Sequence, residues 1–290
     1  MTGSRTERHY IPLCWERVTT LGYVIGIDIG GSITKIAGME NGSLIGCLQV
    51  RATDPVASLY GALGKFLTEL KIPMTDISEI RITGVGASAV TTPILDIPTR
   101  IVDEFYCIGR GGMYTTDLEA CVVVSMGTGT ALVYANDGTI SHIGGTGVGG
   151  GTLLGLSGAI LNVRDIHNLV QLAVDGDLHM VDLTVGDITT ANMPNLPSFV
   201  TASNFGKLSE LATPSDIALG LFSMVYQSIG MLAVFAARGK GCSSIVFTGN
   251  LADTPLCKPA LSFIELMFDL RVHIPERAQY VTAIGAALLS

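Results

Sequence analysis

Charged residues are scarce in this sequence, since only 14% of its 290 residues are Asp, Glu, Lys or Arg. Lysine and arginine together number 17 and the acidic residues 25, so the formal net charge is −8. The basic residues form no cluster along the chain. Most of such a surface would repel the phosphates of DNA or RNA, and the sequence therefore indicates no nucleic-acid partner.

Paired cysteines are also missing. The six cysteines are scattered and include no CxxC pair: Cys14, Cys47, Cys107, Cys121, Cys242 and Cys257. This pattern is typical of buried free thiols in a reducing compartment, and it favours neither a zinc site nor an iron–sulfur site. The first 22 residues contain no apolar stretch of the kind found in signal peptides, and we interpret them as an N-terminal extension. We therefore expect a cytoplasmic protein.

No charge interrupts residues 217–237, a run that is long enough to cross a bilayer. Thr213, Pro214 and Asp216 before the run are typical of a helix start, and Ser223 and Gln227 reduce its apolar character. A core helix of a large α/β protein has the same pattern. Because 48% of the residues are hydrophobic, we expect a large core that contains this helix, and no membrane span.

Residues 23–37 have the sequence YVIGIDIGGSITKIA. They contain a glycine pair, and on each side of it β-branched residues recur with the two-residue period of a β-strand. This pattern predicts a β-hairpin with Gly30 and Gly31 at its tip, where backbone N–H groups can approach an anion closely. Ser32 and Lys35 can reach phosphate oxygens, and Asp28 can hold a metal ion through water. An ordinary surface hairpin is the alternative. The order of acid, glycines, hydroxyl and lysine favours a hairpin that binds phosphate.

A second strand–glycine–strand unit follows about a hundred residues later, with MGTGT at its tip. The two units suggest a duplicated architecture with a nucleotide held between the copies. Residues 144–151 then contain six glycines and lead into a segment of helical character. A glycine loop that opens a helix offers unpaired N–H groups and the positive end of the helix dipole to an anion. We expect a ligand loop here, because flexible linkers are typically rich in serine and charge.

Hydrophobic periodicity predicts the other elements. An antiparallel meander is expected over residues 23–49. Helices are expected at 55–70, 105–115, 153–173, 256–268 and 281–289, and strands at 80–86, 100–102, 245–250 and 271–274. Residues 181–205 are expected to be irregular.

Three glycine tips follow buried strands, in the order IDIGG, SMGTG and FTGN, and resemble the sugar kinase, actin and heat-shock chaperone ATPase superfamily. Within it the sequence resembles type II pantothenate kinases. The narrower resemblance depends on IDIGGSITK, the triplet Asp103-Glu104-Phe105, IGGTGVGGGTLLGL, DLTVGDI, ASNFG and AIGAALL, and it extends over residues 23–290. It implies an α/β fold with two related lobes of ribonuclease H-like mixed sheet, flanking helices and ATP in the interlobe cleft. We expect the lobes at residues 23–117 and 118–290.

The resemblance also implies an activity, transfer of the ATP γ-phosphate to pantothenate in the first step of coenzyme A synthesis. It implies Mg²⁺ as a cofactor, a homodimer, and binding of coenzyme A or acyl-coenzyme A. Glu104 would be the catalytic base, and Asp28 would hold Mg²⁺ through water. The residues that would bind ATP are Gly30, Gly31, Ser32, Lys35, Thr128, Gly150, Gly151, Thr152, Leu153, Leu154 and Asn250.

The residue types suit this chemistry, because an alcohol needs a carboxylate that orients it and takes its proton. Asp103 competes with Glu104 for this role, and without the family Glu104 is more readily explained as an acid that stabilises a helix N-terminus. His142 departs from the family pattern, since relatives carry an arginine two residues before the first glycine of the loop. A histidine is shorter, and with an unperturbed pKa of about 6.5 it is mostly neutral at pH 7. Arg110 can compensate from the predicted helix.

Two other functions stay open at this stage. One is a superfamily ATPase that acts on another small hydroxyl substrate or activates a dehydratase, although the scattered cysteines disfavour an activator with an iron–sulfur cluster. The other is a nucleotide or coenzyme A sensor without kinase activity. Glu104 argues against a sensor, since a sensor needs no base at that position.

Overall fold

A computed structural model describes residues 22–51, 54–191 and 196–288. The first half of the chain forms, in order, β1 (Tyr23–Ile29), β2 (Ile33–Glu40), β3 (Ser43–Arg51), α1 (Pro55–Leu70), β4 (Ile77–Thr83), β5 (Thr99–Ile101) and α2 (Glu104–Thr116). Apart from Gly22, the predicted N-terminal extension lies outside the described residues.

The second half repeats this beginning and then adds helices. It forms β6 (Ala120–Met126), β7 (Thr130–Asn136), β8 (Thr139–Thr146), α3 (Gly150–Ile160), α4 (Ile166–Ala173), β9 (Leu183–Thr184), α5 (Val185–Ile188), β10 (Thr201–Ser203), α6 (Pro214–Lys240), β11 (Ser244–Thr248), α7 (Cys257–Leu261), α8 (Phe263–Phe268), β12 (Arg271–His273) and α9 (Val281–Leu288).

The two large sheets have the same topology, which confirms the predicted duplication. The first sheet has the order β3-β2-β1-β4-β5, and the second, read from its opposite edge, has the order β8-β7-β6-β11-β12. In each sheet the first three strands form an antiparallel meander, and the strand that begins the meander also pairs in parallel with a later strand. Each sheet therefore carries a hairpin tip at the equivalent position, between β1 and β2 and between β6 and β7.

Two helices connect the sheets by crossing over. α2 packs against β6, β7 and β8, whereas α9 packs against β1 and β2, and the two helices lie against each other. Glycine is required at their crossing, because a Cβ at Gly285 would lie 1.8 Å from the carbonyl oxygen of Cys107. A Cβ at Gly111 would lie 2.0 Å from the carbonyl oxygen of Val281. The close packing predicted for the last helix is confirmed, while the lobe ranges 23–117 and 118–290 stay a prediction.

The long apolar helix α6 belongs to the core of the second half. Thr213 caps it, since its Oγ1 accepts a hydrogen bond from the N–H of Asp216 at 3.3 Å. By length and composition α6 is able to cross a membrane. However, 61% of its most apolar stretch of 18 residues is buried inside the protein. Tyr226 and Phe222 on this helix are completely enclosed by the core. This burial agrees with the predicted core helix.

Several predicted boundaries were wrong. The helix expected over 153–173 is two helices, because Asn162 adopts a left-handed conformation (φ 55°) and α4 starts only after the cap Asp165. The helix expected over 256–268 is divided at Ser262 into α7 and α8. The segment expected to be irregular contains the short antiparallel pair β9–β10. In the two helices the break occupies one or a few residues, which hydrophobic periodicity does not detect.

Candidate active site

The first hairpin has the predicted form. Asp28 and Lys35 are direct cross-strand partners on β1 and β2, and both side chains are buried. At the tip the N–H of Gly30 donates to the carbonyl oxygen of Ile33 at 3.1 Å, which closes the turn. Gly31 is exposed, and a Cβ there would meet no atom within 4 Å. The hairpin therefore presents an open backbone tip above a buried acid–lysine pair.

Glu104 lies next to this pair, at the first position of α2 and half-buried. Burial raises the pKa of Glu104, the negative charges of Asp28 and Asp103 raise it further, and Lys35 opposes the shift. Burial also raises the pKa of Asp28 and lowers the pKa of Lys35. The charge of Lys35 is thus shared between Asp28 and Glu104, and the three groups form one electrostatic cluster beneath the first hairpin.

The neighbouring acid has a different role. Asp103 is the N-cap of α2, and its Oδ1 accepts a hydrogen bond from the N–H of Tyr106 at 2.8 Å. The preceding residue, Val102, forms two hydrogen bonds with β4. Its N–H donates to the carbonyl oxygen of Ile82, and its own carbonyl oxygen accepts from Thr83 Oγ1 at 3.0 Å. Since capping occupies Asp103, the geometry favours Glu104 as the acid that faces the hairpin.

The second hairpin and the glycine loop are bonded to each other. The N–H of Gly150 donates to the carbonyl oxygen of Gly127 at 2.9 Å, and the N–H of Gly151 donates to that of Thr128 at 2.8 Å. The prediction that this loop offers unpaired N–H groups was therefore wrong for Gly150 and Gly151. A Cβ at Gly149 would lie 2.7 Å from the carbonyl oxygen of Thr128, so the glycine run is needed for this backbone-to-backbone contact.

The loop has its own internal bonds. Thr152 Oγ1 accepts from the N–H of Gly149 at 3.2 Å and donates to the carbonyl oxygen of Gly147 at 3.0 Å. The side chain of Leu153 is completely buried in the core, whereas Leu154 is half-buried and Thr128 is exposed at the hairpin tip. Thr128 and Leu154 can face a ligand, and Leu153 can only support the loop from below.

The end of β11 joins the same place. Gly249 adopts φ 88°, and a Cβ there would lie 2.4 Å from the carbonyl oxygen of Met126 at the base of the second hairpin. The N–H of Leu251 donates to that same oxygen at 3.4 Å. Asn250 is therefore held beside the second hairpin and the glycine loop. The fold brings together the three segments that the resemblance assigns to the nucleotide.

His142 and Arg110 were expected to meet the substrate. His142 is exposed on β8, and its ring stacks on that of Phe105, with centroids 3.9 Å apart and planes at 13°. Arg110 is half-buried in α2, six residues after Glu104. Sequence reasoning did not find Phe105 as the partner of His142. The aromatic residue directly after Glu104 was the available signal, but nothing in the sequence places it beside β8.

The donor set for a metal ion is small. Within residues 22–51, 54–191 and 196–288, no three His, Cys, Asp or Glu side chains are grouped so that they could hold a metal ion. Asp28 is a single buried carboxylate at the end of β1. Mg²⁺ usually retains several waters and takes one or two carboxylates together with substrate phosphates. A single carboxylate such as Asp28 therefore suits Mg²⁺ better than it suits a metal ion held by protein ligands alone.

Comparison with known proteins finds a family model and named relatives that match most of the chain. The model of the Fumble family matches residues 65–288, a range that starts after the first hairpin. A type II pantothenate kinase from Bacillus anthracis is 30% identical over 236 residues, which cover 78% of this chain and 82% of that protein. A type II pantothenate kinase from Staphylococcus aureus strain USA300 is 26% identical over 277 residues, covering 91% of this chain and 98% of the relative.

Solved structures share the fold at lower identity. The activator of the 2-hydroxyisocaproyl-CoA dehydratase from Clostridium difficile, with bound ADPNP, has a TM-score of 0.66 and 19% identity, and the match covers 92% of this chain and 93% of that one. Component A of the (R)-2-hydroxyglutaryl-CoA dehydratase from Acidaminococcus fermentans has a TM-score of 0.68 and 19% identity, with 92% and 96% covered. At these identities the likeness shows the fold alone.

Proposed function

The chain belongs to the Fumble family and to the type II pantothenate kinases, and from this premise we propose that it phosphorylates pantothenate with ATP to give 4′-phosphopantothenate. The observation that carries the proposal is the cluster of Glu104, Lys35 and Asp28 beneath the first hairpin tip. It combines a carboxylate with a raised pKa and a buried ammonium group, next to a backbone turn suited to phosphate. The product would be the first intermediate of coenzyme A synthesis.

Glu104 is the proposed catalytic base. It would accept a hydrogen bond from the primary hydroxyl of pantothenate and take the proton as the new P–O bond forms. A carboxylate whose pKa is raised by burial and by Asp28 is a better base than an exposed one, provided that it stays ionised. Lys35 opposes that rise and so favours the charged form of Glu104.

The two hairpin tips are the proposed phosphate sites. Phosphoryl transfer has a loose transition state, so catalysis depends on positioning and on stabilising the charge of the phosphate oxygens. Gly30, Gly31 and Ser32 would bind phosphates from the first lobe, and Thr128 would bind them from the second. Lys35 is buried behind the first tip, and its charge would act on the phosphates from there.

The nucleotide would lie against the second lobe. Gly150, Gly151 and Thr152 would line it through the loop surface, because two of their N–H groups already bond the second hairpin. Leu154 and Asn250 would contact the nucleoside. Mg²⁺ would be held by Asp28 through water, and when bound it would neutralise part of the phosphate charge. A cation at this place fits the burial of Asp28, which raises the pKa of its carboxyl group against the opposing charge of Lys35.

A homodimer is proposed from the surface of α6. Leu232 and Phe235 on this helix are 39% and 62% exposed, and they lie about one turn apart on one face. Large apolar side chains exposed together on a core helix are typical of a surface covered by a partner. The family implies that this partner is a second copy of the chain, and that coenzyme A or its thioesters bind as regulators.

A cytoplasmic location is supported by the described cysteines, which are free thiols with Cys107, Cys121 and Cys257 buried.

Activation of a dehydratase is the second candidate, because the two structural neighbours described above act with dehydratases. Only the fold supports it. The relatives with higher sequence identity are pantothenate kinases, and the described residues contain no group of cysteines suited to a metal cluster.

The test is a coupled assay of ADP release with purified protein, ATP and Mg²⁺, in the presence of pantothenate, pantetheine, N-acetylglucosamine or glucose in turn. We expect ADP release to rise above the ATPase background with pantothenate and to stop when EDTA is added. A response to a sugar alone would assign a different acceptor. No response to pantothenate would contradict the proposed function.

A further inference from the structure

The contact between Phe105 and His142 joins the two halves of the candidate site. The rings are nearly parallel, at 13°, with centroids 3.9 Å apart, which is an aromatic stack. Phe105 follows Glu104 directly in the first turn of α2, whereas His142 belongs to β8 in the second sheet. No other aromatic stack among the described residues reaches from α2 to a strand of that sheet.

The strand is shaped for this contact. Along the β7–β8 pair, Leu132 pairs with Gly144 and Val133 with His142, so that Ile143 is an extra residue. A bulge of this kind bends the strand and re-aims neighbouring side chains. His142 lies directly beside this bulge on β8, the edge strand of the sheet, and from there its ring reaches Phe105 on α2.

The first turn of α2 needs an external support. N–H groups in the first turn of a helix lack intrahelical partners, so such turns fray unless they are capped or packed. Asp103 caps the N–H of Tyr106. Phe105 packs against the buried cluster that contains Ile108 and Val133. The exposed ring of His142 stacks on that of Phe105, so the same turn is both capped and packed.

We propose that His142 is a positioning residue for Glu104: its ring, stacked on Phe105, holds the first turn of α2 against β8 and thereby places the carboxylate. The proposal rests on the role of Glu104 in the proposed function. It assigns the imidazole a packing role in place of contact with substrate. Because β8 continues into the glycine loop at Gly147, the same stack links the position of the base to the loop on the nucleotide side.

The test compares His142→Ala, which removes the ring, with His142→Phe, which keeps a ring without the imidazole nitrogens. We expect His142→Ala to lower kcat about three- to tenfold, the range that corresponds to the loss of one aromatic pair. The KM values for ATP and pantothenate should change by less than a factor of two. His142→Phe should restore kcat. His179→Ala removes an exposed histidine far along the chain and is the matched control, with kcat unchanged.

A second variant identifies the partner. Phe105→Leu keeps an apolar side chain at this position but removes the ring face, so His142→Ala should have no further effect on kcat in that background. The proposal is overturned if His142→Phe is as impaired as His142→Ala, or if His142→Ala raises the KM for pantothenate and leaves kcat unchanged. An unchanged kcat in His142→Ala also overturns it.

Hydrogen exchange separates failure of this proposal from failure of the proposed function. Amides of the first turn of α2, residues 104–107, should exchange faster in His142→Ala than in the wild type and His142→Phe. This measurement requires no turnover. If the wild type does not phosphorylate pantothenate but the exchange pattern holds, the stack has the proposed structural role and the acceptor is wrong. If exchange is identical in all variants, the stack does not hold the turn.

Discussion

Glu104 and Lys35 are the residues on which the proposed chemistry depends. Both are near Asp28, and each shifts the pKa of the other in the direction expected for opposite charges. Lys35 is 8% exposed, so its charge is screened little by water. Ionisation of Glu104 is therefore set by burial and by its neighbours, and both can be changed by substitution.

Glu104→Gln should lower kcat by about 10²–10⁴-fold, because the amide cannot accept the proton of the hydroxyl. The Kd for ATP, measured by calorimetry, should stay within about twofold. In the wild type, kcat/KM should fall as the pH drops through the pKa of Glu104, and this fall should begin at a higher pH than an exposed glutamate would give. Asp103→Asn is the control, since Asn also caps helices. Turnover lost in Asp103→Asn and kept in Glu104→Gln would make Asp103 the base.

Lys35→Met leaves the buried carboxylate of Asp28 and the half-buried carboxylate of Glu104 without their shared cation. We expect the free energy of unfolding to fall by about 3–5 kcal/mol, measured by urea denaturation at pH 7. Loss of the positive charge also raises the pKa of Glu104, so the acid limb of kcat/KM should move to higher pH. Lys65→Met is the matched control: Lys65 is exposed on α1 and pairs with Glu69 at 3.7 Å, so its loss should change little. Equal effects at both positions would contradict the buried cluster.

At the scale of elements, the glycine loop and the second hairpin act as one unit. Their carbonyl and N–H groups pair directly, and a side chain on the loop would separate them. Gly149 has φ 177°, an extended conformation open to any residue, so steric contact with the backbone of Thr128 and Gly129 explains the glycine there.

Gly149→Ala should therefore weaken nucleotide binding, because the added methyl group would push the loop away from Thr128. Overpacking of this size costs about 1–3 kcal/mol, which corresponds to a Kd for ATP about 5- to 150-fold higher, measured by calorimetry. Gly147→Ala is the control from the same loop, since a Cβ there would meet no atom within 4 Å. An unchanged Kd in Gly149→Ala would show that docking of the loop on the hairpin does not determine nucleotide binding.

At the scale of the whole molecule, the proposed dimer is tested on the exposed face of α6. The wild type should have twice the 30.4 kDa mass of one chain in light scattering. Phe235→Lys introduces a charge into the proposed interface and should shift the protein towards monomer while its far-UV circular dichroism is kept. Tyr60→Lys is the control, because Tyr60 is an exposed aromatic residue on α1 of the first lobe. Dimers that persist in Phe235→Lys would place the interface elsewhere.

The hairpins, the meanders and the apolar core helix were predictable from local patterns. Alternation around Gly30 and Gly31 defines β1 and β2, and the same pattern around Gly127 defines β6 and β7. Element ends were less predictable. The division at Asn162, for example, depends on one left-handed residue and on Asp165, which caps the next helix.

By itself the sequence determined the two related hairpins, their order along the chain and the family, because each depends on residue types at short spacing. Only the tertiary structure decided that Gly150 and Gly151 bond the second hairpin, that Asp103 caps α2 while Glu104 faces Lys35, and that His142 stacks on Phe105. These contacts join residues up to 69 positions apart for Glu104 and Lys35, the difference between their numbers. The pairs made by Glu104 and by Phe105 form only when α2 crosses from the first sheet to the second, and no local pattern in the sequence specifies that crossing.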